Sequence, residues 1–104
     1  MRKIESQMNA AVRARKAFSK QNTMVAMDGD AAKVYLHGNH IATITDDGLQ
    51  IFDGGWQTNT TKSRLNALIE EFGPRYARVF QDNFQWYVQD HVITQPFFNG
   101  YCFF

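Results

Sequence analysis

Three histidines, one cysteine and ten carboxylates are available in this chain for metal ligation or proton transfer, and their spacing decides what they can do. His37 and His40 flank Gly38-Asn39. With that dipeptide as a two-residue hairpin turn, the imidazoles become cross-strand neighbours. Their Cβ atoms would stand about 5 Å apart, close enough to share a metal. Two imidazoles fall short of the four ligands a structural zinc takes, and Cys102 and His91 lie far along the chain. The plainer reading is surface or turn histidines, with no metal and no cofactor. Cys102 sits among aromatic residues, where a thiol stays protonated and inert. No serine has a Gly-x-Ser-x-Gly setting. Asp46-Asp47 reads as a turn, Glu70-Glu71 as a helix end, and Asp90-His91 as sequence neighbours that rarely face each other. No catalytic set assembles, and the chain does not read as an enzyme.

The better candidate is a binding site at the start of a helix. In GGWQTNTTKSRLNALIEEFGP, residues 54–74, Leu65, Leu68, Ile69 and Phe72 recur at i, i+3, i+4 and i+7, which predicts a helix over 60–72. Thr60 or Thr61 would cap it, and Gly73-Pro74 would stop it. Free N–H groups in the first turn and the helix dipole favour an anion there. Thr58, Thr60, Thr61 and Ser63 add hydroxyl donors, while Lys62 and Arg64 add charge. A phosphate, from a nucleotide or a nucleic-acid backbone, suits that set. On the simpler alternative the threonines only cap the helix and both cations point to water.

The elements that must position this segment are short. Residues 2–20 carry Ile4, Met8, Ala11, Val12 and Phe18 on one side of a helical wheel. Arg2, Arg13, Lys16 and Lys20 form a basic ridge on the other. The ridge is either a solvated outer face or a phosphate-binding one. Over residues 23–53, Asp28-Gly29-Asp30, Gly38-Asn39 and Asp47-Gly48 are turn signals nine to ten residues apart. They predict four antiparallel strands, Met24–Met27, Lys33–His37, His40–Thr45 and Leu49–Asp53. The implied pairs are Leu36 with Ile41, Val34 with Thr43, and Ile44 with Ile51. Residues 77–89 read as a further hairpin around Asp82-Asn83, pairing Val79 with Trp86. In the tail, 92–104, Pro96 forbids a central strand, and Phe97, Phe98, Tyr101, Phe103 and Phe104 crowd together. The tail either closes the core or, with Trp56, presents an apolar surface to a partner. The class is α+β: an N-terminal helix, a four-strand antiparallel meander, a central helix, and a C-terminal β-hairpin with an aromatic tail, in one domain spanning 1–104.

Composition narrows the class further. A chain of 104 residues holds one core, not two. With 44% apolar residues it is too hydrophobic for disorder. The net charge of +1 conceals an uneven distribution. Residues 1–20 hold six Lys or Arg against Glu5 alone, and the remaining 84 carry five basic and nine acidic side chains. A single cysteine rules out an internal disulfide and suits a cytosolic setting. Met1-Arg2-Lys3 would suit the start of a signal peptide, but no apolar stretch follows it. No apolar run long enough to span a membrane occurs.

Three stretches, VYLHGNHIATI, FDGGWQTNTTKSRLNALIEEFG and VFQDNFQWYV, together resemble small proteins of unassigned function encoded by tailed bacteriophages. The block Trp-x-Thr-x-Thr-Thr-x-x-Arg-Leu-Asn, Trp56 to Asn66, is the specific part. The resemblance implies a phage product in the cytoplasm of an infected bacterium, binding and disabling a host or defence protein complex without catalysis. The order helix, three strands, helix with a basic start also resembles double-stranded RNA-binding domains. It keeps DNA or RNA as the alternative partner, with Trp56 stacking on a base.

Overall fold

Backbone geometry at Arg15 ends the first helix earlier than its periodicity predicts. In the computed structural model, which describes all 104 residues, α1 spans Lys3–Ala14. Arg15 caps it in the left-handed region at φ 54°, a place glycine usually takes. The Lys16 N–H then closes on the Ala11 carbonyl at 3.0 Å. The chain leaves the helix and forms a short strand, β1 (Phe18–Lys20). The expected helix over residues 2–20 is thus a helix plus an edge strand, and the basic ridge is divided between them. Its buried face also differs from the apolar wheel. Glu5 and Asn9 are buried beside Met8 and Val12, whereas Ile4 is only half-buried.

The expected meander forms: β2 (Thr23–Asp28), β3 (Ala31–Leu36), β4 (Asn39–Thr45) and β5 (Gly48–Ile51). The β3–β4 turn lies one residue earlier than the Gly38-Asn39 signal suggests. His37 (φ 52°) and Gly38 (φ 78°) occupy its two central positions, both with positive φ. Histidine is among the side chains that tolerate this region. Leu36 therefore pairs with Asn39, and Tyr35 with His40. A bulge between Val34 and Tyr35 then moves Val34 onto Ala42 and Lys33 onto Thr43. The expected pairs Leu36–Ile41 and Val34–Thr43 are corrected, and His37 and His40 are not cross-strand partners. In the next hairpin Ile44 pairs with Leu49, not Ile51, which faces Ala42.

Helix α2 (Asn59–Phe72) is the central helix. Leu65, Leu68 and Ile69 are buried and Phe72 is packed against the core. After it come β6 (Arg78–Asp82), β7 (Gln85–Asp90), β8 (Ile93–Pro96) and β9 (Tyr101–Phe103). The β6–β7 turn is Asn83-Phe84, so Val79 pairs with Val88 and Gln81 with Trp86. Pro96 sits in the edge strand β8, where a missing N–H costs no ladder bond. The tail adds β8 to one sheet and β9 to the other. Tyr101 and Phe103 are buried core residues rather than contact surface.

Two antiparallel sheets result, a six-stranded one in the order β1-β2-β3-β4-β5-β9 and a three-stranded one in the order β6-β7-β8. The architecture is α+β, with nine strands and two helices. Helix α2 touches β4 and β5 on one side and β6 on the other, so it forms the middle layer of a single buried cluster. Helix α1 packs on α2, β1 and β2.

One buried ion pair locks the helices together. Arg64 Nη1 lies 2.8 Å from Glu5 Oε2, with both side chains almost fully buried. Ser63 Oγ donates to the same carboxylate oxygen at 2.6 Å, and the Arg2 N–H donates to Oε1 at 3.0 Å. The other guanidinium nitrogens reach Thr23 Oγ1 (3.1 Å) and Asn22 Oδ1 (3.3 Å). Burial alone pushes the Glu5 carboxyl up. The hydrogen bonds from Ser63, the Arg2 backbone and Arg64, with Arg64's charge, outweigh that and hold it below its ordinary value of 4.5.

Removing one member of a buried pair leaves an uncompensated charge. Arg64→Ala is therefore expected to lower the unfolding free energy by about 3–5 kcal/mol in urea titration. A loss below about 1 kcal/mol would rule out a structural role for the pair. The pH dependence has a definite sign. A carboxyl with a lowered folded pKa contributes stability that is present above about pH 4.5 and lost as pH falls through the folded value. The acid limb of a stability–pH curve should accordingly be shallower for Glu5→Gln than for the parent protein.

Candidate functional site at the start of helix α2

The loop from β5 to α2 is tied by its own polar groups. The Asp53 N–H donates to Asn99 Oδ1 at 2.7 Å. Its carboxylate accepts from the Gly55 N–H (2.8 Å) and Gln57 Nε2 (3.2 Å). Gly54, at φ 69°, lies so close to the β3–β4 hairpin that a Cβ would sit 3.1 Å from Asn39 Cβ and Ile41 Cγ2. That close approach lets the loop rest on the hairpin. Thr58 caps α2, its Oγ1 accepting the Thr61 N–H at 3.1 Å. The cap is two residues ahead of the expected threonines, because Asn59 and Thr60 already belong to the first turn.

These elements enclose an open cleft of about 360 Å³. Leu36 and Ile41 supply apolar lining, His37, Asn39 and Asp53 stand on one side, and Trp56, Thr58, Thr60 and Thr61 on the other. Of the six anion-site candidates, the structure brings the three threonines together. Lys62 Nζ instead reaches Gln81 Oε1 at 3.3 Å. Ser63 and Arg64 turn inward to Glu5, so neither is available at the cleft. Among the ridge cations, Arg13 is paired with Glu71, Lys20 Nζ donates to Gln7 at 3.2 Å, and Arg2 and Lys16 are exposed.

The aromatic candidates divide the same way. Trp56 is 69% exposed at the cleft rim. Phe97 is half-buried, edge-on to Trp86 at 5.4 Å, Phe98 and Phe104 are exposed, and Tyr101 and Phe103 are core. Burial first, then the hydrogen bond to Asp90, raises the Tyr101 hydroxyl's pKa. His40 lies between Tyr35 and Phe52, ring centroids 5.6 and 4.5 Å away. Burial lowers its pKa, and Lys33 adds to that against an opposing backbone hydrogen bond. No three His, Cys, Asp or Glu side chains gather in one place.

One surface residue escaped sequence reasoning. Phe84, at φ 66°, is 95% exposed at the tip of the β6–β7 hairpin. Asn66 bonds both backbone groups of Val79 (2.8 and 2.9 Å), and Lys62 reaches Gln81. Four helix residues rise about 6 Å and two strand residues about 6.6 Å, so the next rung sets Asn83 level with Thr58. The Asn83-Phe84 tip therefore projects at the same end of the molecule as Trp56 and the cleft. The only sequence signal was an aromatic after a turn-forming asparagine, and exposure cannot be read from that.

The topology and surface define a small α+β protein with an aromatic-rimmed end. Over its full length, residues 1–104, the chain matches the family described as Kyanoviridae Gp96 protein. It belongs to that family and is a bacteriophage protein. No curated protein and no solved structure matches it. No helix is long and apolar enough to cross a membrane.

The cap gives a direct test of how the cleft is held. Thr58→Ala should cost about 1 kcal/mol of stability in urea titration, since the Thr61 N–H and hydroxyl both lose their partner.

Proposed function

We propose that this phage protein is a non-enzymatic binding protein that engages a bacterial host or defence protein complex in the cytoplasm of the infected cell, inhibiting or redirecting it. Its contact surface is the end of the molecule carrying Phe84 and Trp56. The observation that supports this is Phe84. A bulky side chain in the left-handed region costs on the order of 1–3 kcal/mol, and two-residue turns of this kind favour Asn-Gly. Nothing within the fold compensates, because the ring is almost wholly in water. A strained, exposed aromatic is what a binding anchor requires, since large aromatics dominate contact energies once desolvated. Trp56 provides a second anchor beside a cleft with apolar lining.

Nucleic-acid contact through the basic helix and the start of α2 has less support. Ser63 and Arg64 are committed to Glu5, Arg13 to Glu71, and Lys62 to Gln81.

Phe84→Gly separates binding from folding, since glycine relaxes the turn. The variant should be at least as stable as the parent in thermal melts. In quantitative affinity capture from bacterial lysate it should lose tenfold or more of one defined complex that the parent retains. Equal recovery by parent and variant would refute the anchor role.

A further inference from the structure

We infer that this chain forms a two-fold dimer, the outer face of its three-stranded sheet packing against the same face of a second copy. Val79, Trp86 and Val88 turn to the core, so alternation turns the residues between them outward. In register, Phe80, Tyr87 and Pro96 form the central row of that outer face. Arg78 and Gln89 stand two residues to one side of it, Asp82 and Gln85 two residues to the other. The Phe80 and Tyr87 rings stack with centroids 5.6 Å apart. The Arg78 guanidinium lies 4.4 Å above the Phe80 ring, and its Nε donates to Gln89 at 3.1 Å. Both rings are half-buried, and Pro96 is exposed. The edges of this sheet are poor sites for association. Asn66 occupies the β6 edge at Val79, and Pro96 interrupts the β8 edge. The face is what remains.

Charge decides the occupant. Arg78 is the only cation turned outward on these three strands, and Asp82 the only carboxylate. Both are exposed, and neither enters an ion pair. They cannot meet each other, being four residues and about 13 Å apart along one strand. A second copy, turned over about an axis along the central row, sets its Asp82 over Arg78 and its Arg78 over Asp82. The same rotation lays rings on rings and Gln85 on Gln89. Such self-complementarity is what a two-fold interface requires. Sheets packed face to face stand about 10 Å apart, a gap that an arginine and an aspartate span together. A polyanion would find one cation here and one opposing carboxylate. Three short strands offer only a few hundred Å², against about 800 Å² per partner in a standard interface, so the dimer is a reversible one. The Asn83-Phe84 tip lies beyond the row of Asp82 and Gln85, so this face and the proposed host contact stand or fall separately.

Sedimentation velocity of the full chain at low salt, from about 10 μM to about 1 mM, tests the inference. A reductant is included because Cys102 is a free thiol. The parent should pass from monomer to dimer across that range. Arg78→Asp and Asp82→Arg each set like charges against one another twice, and each should weaken the dimer about tenfold or more. Mixed together, the two variants should associate again, because every contact between them is then opposite in charge. Circular dichroism checks each variant's fold. A monomer throughout, a dimer that neither substitution weakens, or a mixture no better associated than its components would each overturn it. If a charge variant misfolds, dilution of the isotope-labelled parent followed by NMR decides. Amide shifts confined to β6, β7 and β8 support the interface, whereas shifts elsewhere, or none, refute it.

Discussion

Everything in this fold is arranged around a carboxylate and a guanidinium taken out of water together. Burying either alone would cost several kcal/mol, and their attraction offsets this only when the remaining polar atoms are satisfied. Here they are. Glu5 accepts from three donors, and Arg64 donates through three nitrogens to Glu5, Thr23 and Asn22. Such a pair adds little net stability over an apolar contact of equal size, but it is specific about geometry. It joins the first turn of α1, the first turns of α2 and the turn between β1 and β2, elements far apart in sequence. Sliding α1 by one turn would strand both charges.

With the helices locked, the layers follow. Helix α2 lies between the sheets and offers Leu65, Leu68 and Ile69 to the common core. Its polar flank is used as well, since Asn66 satisfies both backbone groups of Val79 at the free edge of β6. That contact covers an edge that would otherwise invite pairing, and it aims the β6–β7 tip toward the start of α2. Because both helices occupy one face of the large sheet, the opposite face stays open.

Several turns bend through side chains that do not announce them. Arg15, Gln21, His37, Tyr76, Asn83, Phe84 and His91 all adopt positive φ, a region where glycine would be the obvious occupant. Turn signals based on glycine and aspartate located the meander and all four of its strands, but they misplaced individual turns by one residue. Side chains alternate with period two, so a one-residue displacement changes every partner in a hairpin. That is why His37 and His40 read as a pair and are not; β1 reads as helix for a different reason, because Arg15 rather than a glycine turns the chain out of α1.

Local periodicity and turn chemistry were enough to determine the α+β class, the existence of both helices, the apolar ridge of α2 and the four central strands, because those features depend on residues within a few positions of one another. The threonines at the start of α2 were legible for the same reason, as a helix start shows in its own sequence. Only the tertiary structure decided that Arg64 and Ser63 turn inward, since their partner Glu5 is more than fifty residues away. It alone decided that Tyr101 and Phe103 are core while Phe84 is bare. Burial is a property of what packs on a residue, and no stretch of sequence carries its own neighbours across the fold.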